Sequence, residues 1–473
     1  MSRDRQDLIL RLVKLTNVIL MLIPVLWIWK SYYSAQIVIA YKWNEDVIIA
    51  GIYAIVYMMF GRIYEAFNVY LLRISEMIYS QSLACFFSDA ILYLIICLMT
   101  GNSSALPPIL FALLGQLAIS VLWCVAVHQW YYRTFPAQPT AVVYDLRPGM
   151  EQLINEYGMD KRFRVVAIAD IRDFQMEQLE GVTAVFLCGI SSHERNIICK
   201  YCIAEGITVY TIPRIGDLIM SGAKQMHMFH LPIQRVERYR PVPEYRIVKR
   251  LFDVVISGIA LVVFSPIMLI IAMAIKSVDG GPVLYRQKRL TKDGQVFELL
   301  KFRSMRVDAE KDGVARLSTG DKDDRITPVG RVIRKIRFDE LPQLFNILKG
   351  EMAIVGPRPE RPEIAAQYEE TLPEFKLRLQ AKAGLTGYAQ VYGKYNTTPY
   401  DKLQMDLMYI AHPSLFEDLR IMFATVKILF TPESTEGVEA GQVTAQAGQA
   451  REKAGKAGQA AAEIAVTKVG HDK

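Results

Sequence analysis

What the sequence lacks narrows it first. Six cysteines in 473 residues make no disulfide framework: Cys85, Cys97 and Cys124 sit in hydrophobic stretches, and Cys188, Cys199 and Cys202 fall in the middle third. Cys199 and Cys202 have the CxxC spacing of a metal pair, but no second Cys or His pair follows at the usual distance. Two thiols on one helix is the better reading. Charged residues make up 22% of the chain against 52% apolar, too few for a wholly soluble protein and too many for one embedded throughout in lipid. The charge excess is small, +7, which suits membrane or substrate phosphates as well as nucleic acid and selects no partner. At about 150 residues per domain, the length implies about three structural units.

Uncharged runs organise the first third. Leu15 to Trp29 has no small-residue cleavage site after it and reads as a retained helix. Val47 to Phe60, Met77 to Met99 (with Asp89 as its one charge) and Leu106 to Trp130 follow, giving four expected transmembrane helices. Arg3, Arg5, Arg11 and Lys14 precede the first, Arg62 and Arg73 lie between the second and third, and Arg133 follows the fourth. By the positive-inside rule, both ends of the bundle face the cytoplasm. Asp89 reads either as a functional intramembrane carboxylate or as an interhelical contact.

From Thr140 short apolar strands alternate with helical segments (AVVYD, MEQLINEYG, RVVAIAD, AVFLCG, SSHERNIICKYCIAEG, ITVYTIP), the pattern of a doubly wound, Rossmann-like module. Its first strand-to-helix turn, Asp145 to Gly149, lacks the glycines of a dinucleotide fingerprint. A third unit begins near Tyr245 and contains 22 uncharged residues, Val254 to Ile275. Lys249 and Arg250 flank one end and Lys276, Arg286, Lys288 and Arg289 the other, so both flanks read as cytoplasmic. Ser265-Pro266 sits in the middle, where proline removes a backbone donor and crowds the carbonyl of Val262. A helix–break–helix over 247–276 that enters and leaves by one leaflet satisfies both observations; a Pro-kinked spanning helix is the alternative. The stretch from Glu433 is rich in Ala, Gly, Gln, Glu and Lys and cannot bury a core. The expected domains are thus 1–135 (four-helix transmembrane bundle), 136–237 (Rossmann-like α/β module), 238–432 (α/β catalytic domain with the re-entrant helix) and 433–473 (low-complexity tail).

Chemistry concentrates between Lys301 and Arg361. Arg331, Arg334, Lys335 and Arg337 lie within nine residues of the adjacent carboxylates Asp339 and Glu340. Nearby cations favour the carboxylate form and can hold phosphate oxygens, which suggests phosphoryl transfer, with one carboxylate attacking phosphorus and another holding a hard cation. The residues alone leave open a plainer role, acids at the favourable end of an amphipathic helix.

The ordered motifs KRLFD (Lys249 to Asp253), Ser265-Pro266, KFRSM (Lys301 to Met305), DELPQLFNILKGEM (Asp339 to Met352), VGPRP (Val355 to Pro359), GLTG (Gly384 to Gly387) and DLMY (Asp406 to Tyr409) resemble the monotopic phosphoglycosyl transferases, bacterial sugar transferases that load polyprenyl phosphate. The upstream helices and α/β module resemble the large members, which start exopolysaccharide, capsule or O-antigen units at the bacterial inner membrane with the catalytic domain in the cytoplasm. The resemblance implies a catalytic dyad, Asp339 and Glu340. Asp339 would attack the β-phosphorus of a UDP-sugar, release UMP and pass the phosphosugar to undecaprenyl phosphate, giving undecaprenyl-diphosphate-sugar. It further implies Mg2+ held by Glu340, phosphate or nucleotide contacts from Lys301, Arg303, Arg334, Arg358 and Lys382, and a substrate or structural role for Asp406 and Tyr409. Membrane lipid is an implied partner and nucleic acid is not; homodimerisation through the upstream regions is compatible with this organisation. Lys382-Ala-Gly384 stands where the family has Arg-Pro-Gly, keeping the charge but losing the guanidinium fork.

Two rivals remain at this level. A transferase that moves only the sugar and releases UDP would use the carboxylates of Asp321-Lys322-Asp323-Asp324. A membrane sensor or scaffold would carry an inactive last domain, against which the retention of Asp339, Glu340 and Arg358 counts.

Overall fold

A computed structural model describes residues 3–36, 45–101, 103–145, 147–306, 325–393 and 397–429. The Asp321 to Asp324 motif and the tail from Glu433 lie outside the described residues. The chain packs as two compact units that divide between Tyr210 and Thr211, with residues 146–149 joining the second.

The first unit opens with helices α1 (Arg3–Ile28), α2 (Glu45–Ile63), α3 (Ile74–Thr100) and α4 (Pro107–Thr134). Each belongs to a segment long and apolar enough to cross a membrane, because a helix satisfies every backbone group internally where lipid offers no hydrogen bonds. Left-handed Gly101 ends α3, and prolines at its first turn begin α4. The helices enclose a polar seam. Asn17 accepts from the Tyr57 hydroxyl at 2.8 Å and donates to Gln81, whose Oε1 also takes the Ser120 hydroxyl at 2.8 Å. Gln116 Nε2 reaches Tyr53 at 2.7 Å and Asp89 Oδ1 at 3.4 Å, so Asp89 is an interhelical contact in this bundle. Bonds of this kind select one register among apolar helices that otherwise pack with little preference.

A four-stranded sheet completes the unit: β1 (Gln138–Tyr144), β2 (Phe163–Asp170), β3 (Ala184–Cys188) and β4 (Thr208–Ile212), in the order β2-β1-β3-β4, with helices α5 (Met150–Glu156) and α6 (Ser192–Ala204) in the connections. β1 pairs in parallel with β2 and with β3, as the alternating pattern requires. Its Ala141, Val142 and Val143 are buried on both faces, hence the unbroken apolar run in the sequence.

The second unit starts with α7 (Ile215–Ser221) and the hairpin β5 (Lys224–Met228) and β6 (Leu231–Arg235). Next comes α8 (Pro243–Asp279), 37 residues and, at 1.5 Å per residue, about 55 Å long. The expected helix–break–helix is corrected here: α8 is one uninterrupted helix with Pro266 inside it. The physical reason lies one residue earlier. Proline deprives the Val262 carbonyl of its donor, and the Ser265 hydroxyl supplies one at 2.8 Å, so the helix need not part. One face of α8 packs along the unit, through Ile256, Ala260 and Leu261 toward one end and Met268, Ile271, Ala272 and Ile275 toward the other. The opposite face exposes Ile259, Val262, Val263, Leu269, Ile270 and Met273. At its start, Lys249 pairs with Asp418 at 2.9 Å, Arg250 donates to the carbonyls of Ile347 and Leu348, and Asp253 accepts from the Ile354 amide at 3.0 Å. The KRLFD motif is therefore an anchor.

Beyond α8 lie the antiparallel hairpin β7 (Leu284–Leu290) and β8 (Val296–Phe302), helices α9 (Pro328–Lys335) and α10 (Gln343–Lys349), and the short strand β9 (Ala353–Val355). Helix α11 (Pro362–Thr371) and a 3-10 segment, Pro373–Gln380, lead to β10 (Gly384–Thr386), which pairs in parallel with β9. Helices α12 (Tyr388–Tyr392), α13 (Pro399–Ala411) and α14 (Leu415–Leu429) close the unit around Leu344, Ile347, Met352, Phe375, Leu403 and Leu407.

Candidate active site

Asp339 and Glu340 occupy a single 3-10 turn, Phe338–Glu340, and the helix of the DELPQL segment begins only at Gln343. The pair is therefore not the first turn of an amphipathic helix. Arg337 creates the turn: it adopts a left-handed conformation (φ 55, ψ 23), its amide bonds back to the Arg334 carbonyl, and its own carbonyl receives the Glu340 amide at 3.2 Å. A non-glycine residue in that region is strained, and strain of this kind gathers at functional sites. With three residues per turn, neighbouring side chains diverge by about 120°, so the two carboxylates can serve different partners. Phe338, next to Asp339, makes an edge contact with Phe264 of α8 at 6.1 Å between ring centres. The dyad is thereby tied to the middle of the apolar helix, two residues from Pro266.

Cations surround the dyad. Lys301, on β8, donates to Glu340 Oε1 at 3.0 Å, and Arg358, in the loop after β9, approaches the same oxygen at 3.5 Å. Burial works to raise the Glu340 carboxyl, but the charges of Lys301, Arg358 and Arg337 together hold it well below the ordinary carboxylate range. Asp339 is shifted the other way, up, by burial and then by the charge of Glu340, with Lys301 and Arg334 opposing. The two acids thus have unequal affinities for a proton, the condition under which adjacent carboxyls take separate jobs.

Arg358 is placed by backbone contacts that tolerate no side chain. A Cβ on Gly356 would lie 2.2 Å from the Lys382 carbonyl oxygen, and one on Gly384 would lie 2.2 Å from the Gly356 amide. VGPRP and GLTG are the two sides of this close approach across β9 and β10. Arg378 then fixes Arg358 from behind. Its NH2 donates to the Arg358 carbonyl at 2.9 Å, and its guanidinium pairs with Asp406 at 2.7 Å and Glu360 at 3.4 Å. Burial pushes the Asp406 carboxyl up to about 6 against the pull of Arg378. Tyr409 donates to Asp418 at 2.8 Å, the same carboxylate that anchors Lys249 of α8. Asp406 and Tyr409 are thus supports of the site.

Known proteins share this region. A family profile described as bacterial sugar transferase matches residues 244–432. A UDP-glucose:undecaprenyl-phosphate glucose-1-phosphate transferase of Caulobacter vibrioides is 40% identical over 191 residues, 39% of this chain and 71% of that protein. The chain belongs to the bacterial sugar transferases, within the phosphoglycosyl transferase superfamily. A UDP-N-acetylgalactosamine-undecaprenyl-phosphate N-acetylgalactosaminephosphotransferase of Aeromonas hydrophila is 36% identical over 267 residues, 56% of this chain and 58% of its own. An undecaprenyl-phosphate galactose phosphotransferase of Salmonella typhimurium is 38% identical over 238 residues, 47% of this chain and 49% of its own. The chain spans about half the length of most curated relatives it matches, and the family profile's span includes every residue of the dyad's surroundings described above.

Within this bacterial sugar transferase, Lys301 and Arg358 contact Glu340, and the charge of Arg334 acts on Asp339. Arg303 is buried, with its Nε committed to the Pro282 carbonyl at 2.7 Å. Lys382 lines a different cavity, with Lys292 and Lys349. Two arginines escaped the motif reading. Arg378 sits in a segment whose sequence signals only polarity. Arg289 donates to Gln287 and the Pro359 carbonyl, makes no carboxylate ion pair among the described residues, and is pushed down to about 10 by burial and the charge of Arg358. Its place in the basic run Arg286 to Arg289 was a visible clue, and an unneutralised, half-buried guanidinium beside Arg358 suits an incoming phosphate.

Proposed function

We propose that this protein transfers a sugar 1-phosphate from a UDP-sugar to undecaprenyl phosphate through a covalent intermediate on Asp339. The observation that carries the reading is the dyad itself: Glu340, whose Oε1 is held by Lys301 and Arg358, beside an Asp339 carboxyl that no described cation neutralises by direct contact. The likeness to relatives named for this reaction supports it. An Asp339 carboxylate oxygen forms a bond to the β-phosphorus while the bond from that phosphorus to the bridging oxygen breaks, and UMP leaves with the oxygen and its electron pair. A phosphate oxygen of undecaprenyl phosphate then attacks the same phosphorus, the bond to Asp339 breaks and the carboxylate is restored. Lys301, Arg334, Arg358 and Arg289 would offset the phosphate charge that otherwise repels a carboxylate nucleophile.

The dyad fits Mg2+, which takes one or two carboxylates and completes its shell with water and substrate phosphates. Glu340 Oε2 and Asp339 would hold it, since Oε1 is occupied by Lys301 and Arg358. When bound it would neutralise diphosphate charge. We further propose that the enzyme sits in the bacterial inner membrane, with this unit in the cytoplasm and both flanks of α8 on that side. Both ends of α8 pack on one globular unit, and its uncovered apolar face is free for lipid.

The test is to incubate the membrane-bound protein with a panel of UDP-sugars, each labelled in the sugar, without acceptor. UMP release with label trapped on Asp339 is the expected result. UDP release from an unlabelled protein would overturn the reading in favour of sugar-only transfer. Glu340→Gln should keep the nucleophile and recover part of its activity at high Mg2+.

A further inference from the structure

The β7–β8 hairpin has two chemically distinct faces. Its register pairs Tyr285 with Lys301, Arg286 with Leu300 and Lys288 with Glu298. Paired residues share a face and successive residues alternate, so Arg286 and Lys288 project opposite to Lys301 and the dyad. On their side lies a cavity of about 720 Å³, room enough for a small charged ligand.

Its charges do not balance. Lys288, Lys292, Lys349 and Lys382 line it beside Arg286. The three carboxylates present are already engaged: Glu298 with Arg286 at 3.3 Å, Asp293 with Arg238, and Glu351 with the Asn346 amide at 2.6 Å. None of the four lysines has an ion pair or side-chain hydrogen bond among the described residues. Ammonium groups gathered around one open cavity repel one another, and an anion relieves that repulsion. The cavity also has a place relative to lipid. Gly350 lines it, and a Cβ there would lie 3.4 Å from the Arg250 guanidinium, which stands just before the uncharged run of α8. The polar end of an apolar helix is where phospholipid headgroups lie.

We propose that this cavity is a second anion site, separate from the dyad, that takes a phosphate-bearing group, and that in the membrane this group is the headgroup of an anionic phospholipid. It requires nothing of the reaction proposed above. The test uses the purified full chain in neutral detergent, titrated separately with short-chain phosphatidylglycerol, short-chain phosphatidylcholine and inorganic phosphate, with bound ligand read by native mass spectrometry and by thermal unfolding. Phosphatidylglycerol should bind most tightly and raise the unfolding temperature. The triple variant K288Q/K292Q/K349Q should weaken that binding about tenfold or more, and K288R/K292R/K349R, which keeps the charge, should retain it. Lys301→Gln, which strips the dyad's nearest cation, should leave it unchanged. Inorganic phosphate binding as tightly as phosphatidylglycerol would confirm the anion site and assign it to free phosphate instead of lipid. Equal binding of phosphatidylglycerol by the parent and K288Q/K292Q/K349Q, loss of binding in Lys301→Gln, or equally tight phosphatidylcholine would overturn the site.

Discussion

Two clusters in the second unit use the same chemistry, carboxylates faced by arginine and lysine, and do opposite work. At Asp406 the ions are sealed: Arg378 is 3% exposed and Asp406 1%, and every strong donor is spent on a protein acceptor. At Glu340 the cluster is open on one side, with the Arg358 side chain 40% exposed. A sealed pair is expensive to disturb and does nothing else, because breaking it strands a charge in low dielectric. An open cluster keeps cations available for a ligand that brings its own negative charge. Arg378 joins the two, since it holds the Arg358 backbone while it neutralises Asp406.

The sharpest way to separate them is Asp339→Asn. It should abolish UMP release and covalent labelling, by about four orders of magnitude or more, while leaving the fold intact. Stability should not fall. The Asp339 carboxyl titrates higher in the folded than in the unfolded chain, so the folded state holds that proton more tightly and stability is lost as pH rises through the interval between the two values. Asparagine removes that loss, and denaturant unfolding at neutral pH should show a protein at least as stable as the parent. Arg378→Ala should do the reverse, costing about 3–5 kcal/mol of stability and taking activity with it, as measured by unfolding in detergent. An Arg378→Ala protein of parental stability would erase the distinction between the clusters.

Smaller effects probe the hinge between α9 and the dyad. Arg337 combines a strained backbone with a charge that helps hold Glu340 ionised. Arg337→Gly should be more stable than Arg337→Ala by about 1 kcal/mol, because glycine accepts the left-handed conformation, whereas both should lose the same share of activity if the charge is what matters. The smallest change is in pH dependence. The proposed mechanism uses ionised Asp339, so activity should fall as pH drops through that group's raised pKa. Lys301→Gln removes a charge that opposes the rise, and its acid limb should move to higher pH. A pH–rate profile that does not move would detach Lys301 from Asp339.

Much of this was legible in one dimension, for reasons that differ by region. The apolar runs and the alternating strands declare themselves because lipid and sheet cores impose a simple period on the chain. The motifs singled out Asp339, Glu340, Lys301 and Arg358, and the fold brings these side chains together. Ser265-Pro266 was read correctly as a special point and wrongly as a break: the rule for proline concerns the carbonyl it orphans, and whether a neighbour caps that carbonyl is a matter of side-chain rotamer.

The sequence by itself determined the long apolar helices, the parallel α/β sheet and the adjacency of Asp339 and Glu340, all of which follow from local pattern and residue type. Only the tertiary structure decided that Asp406 pairs with Arg378, that Arg378 holds the Arg358 backbone, and that Lys382 lines a cavity with three other lysines. Burial and pairing separate the sealed cluster from the open one, and both depend on residues far apart in the chain, so no spacing along the sequence can encode them.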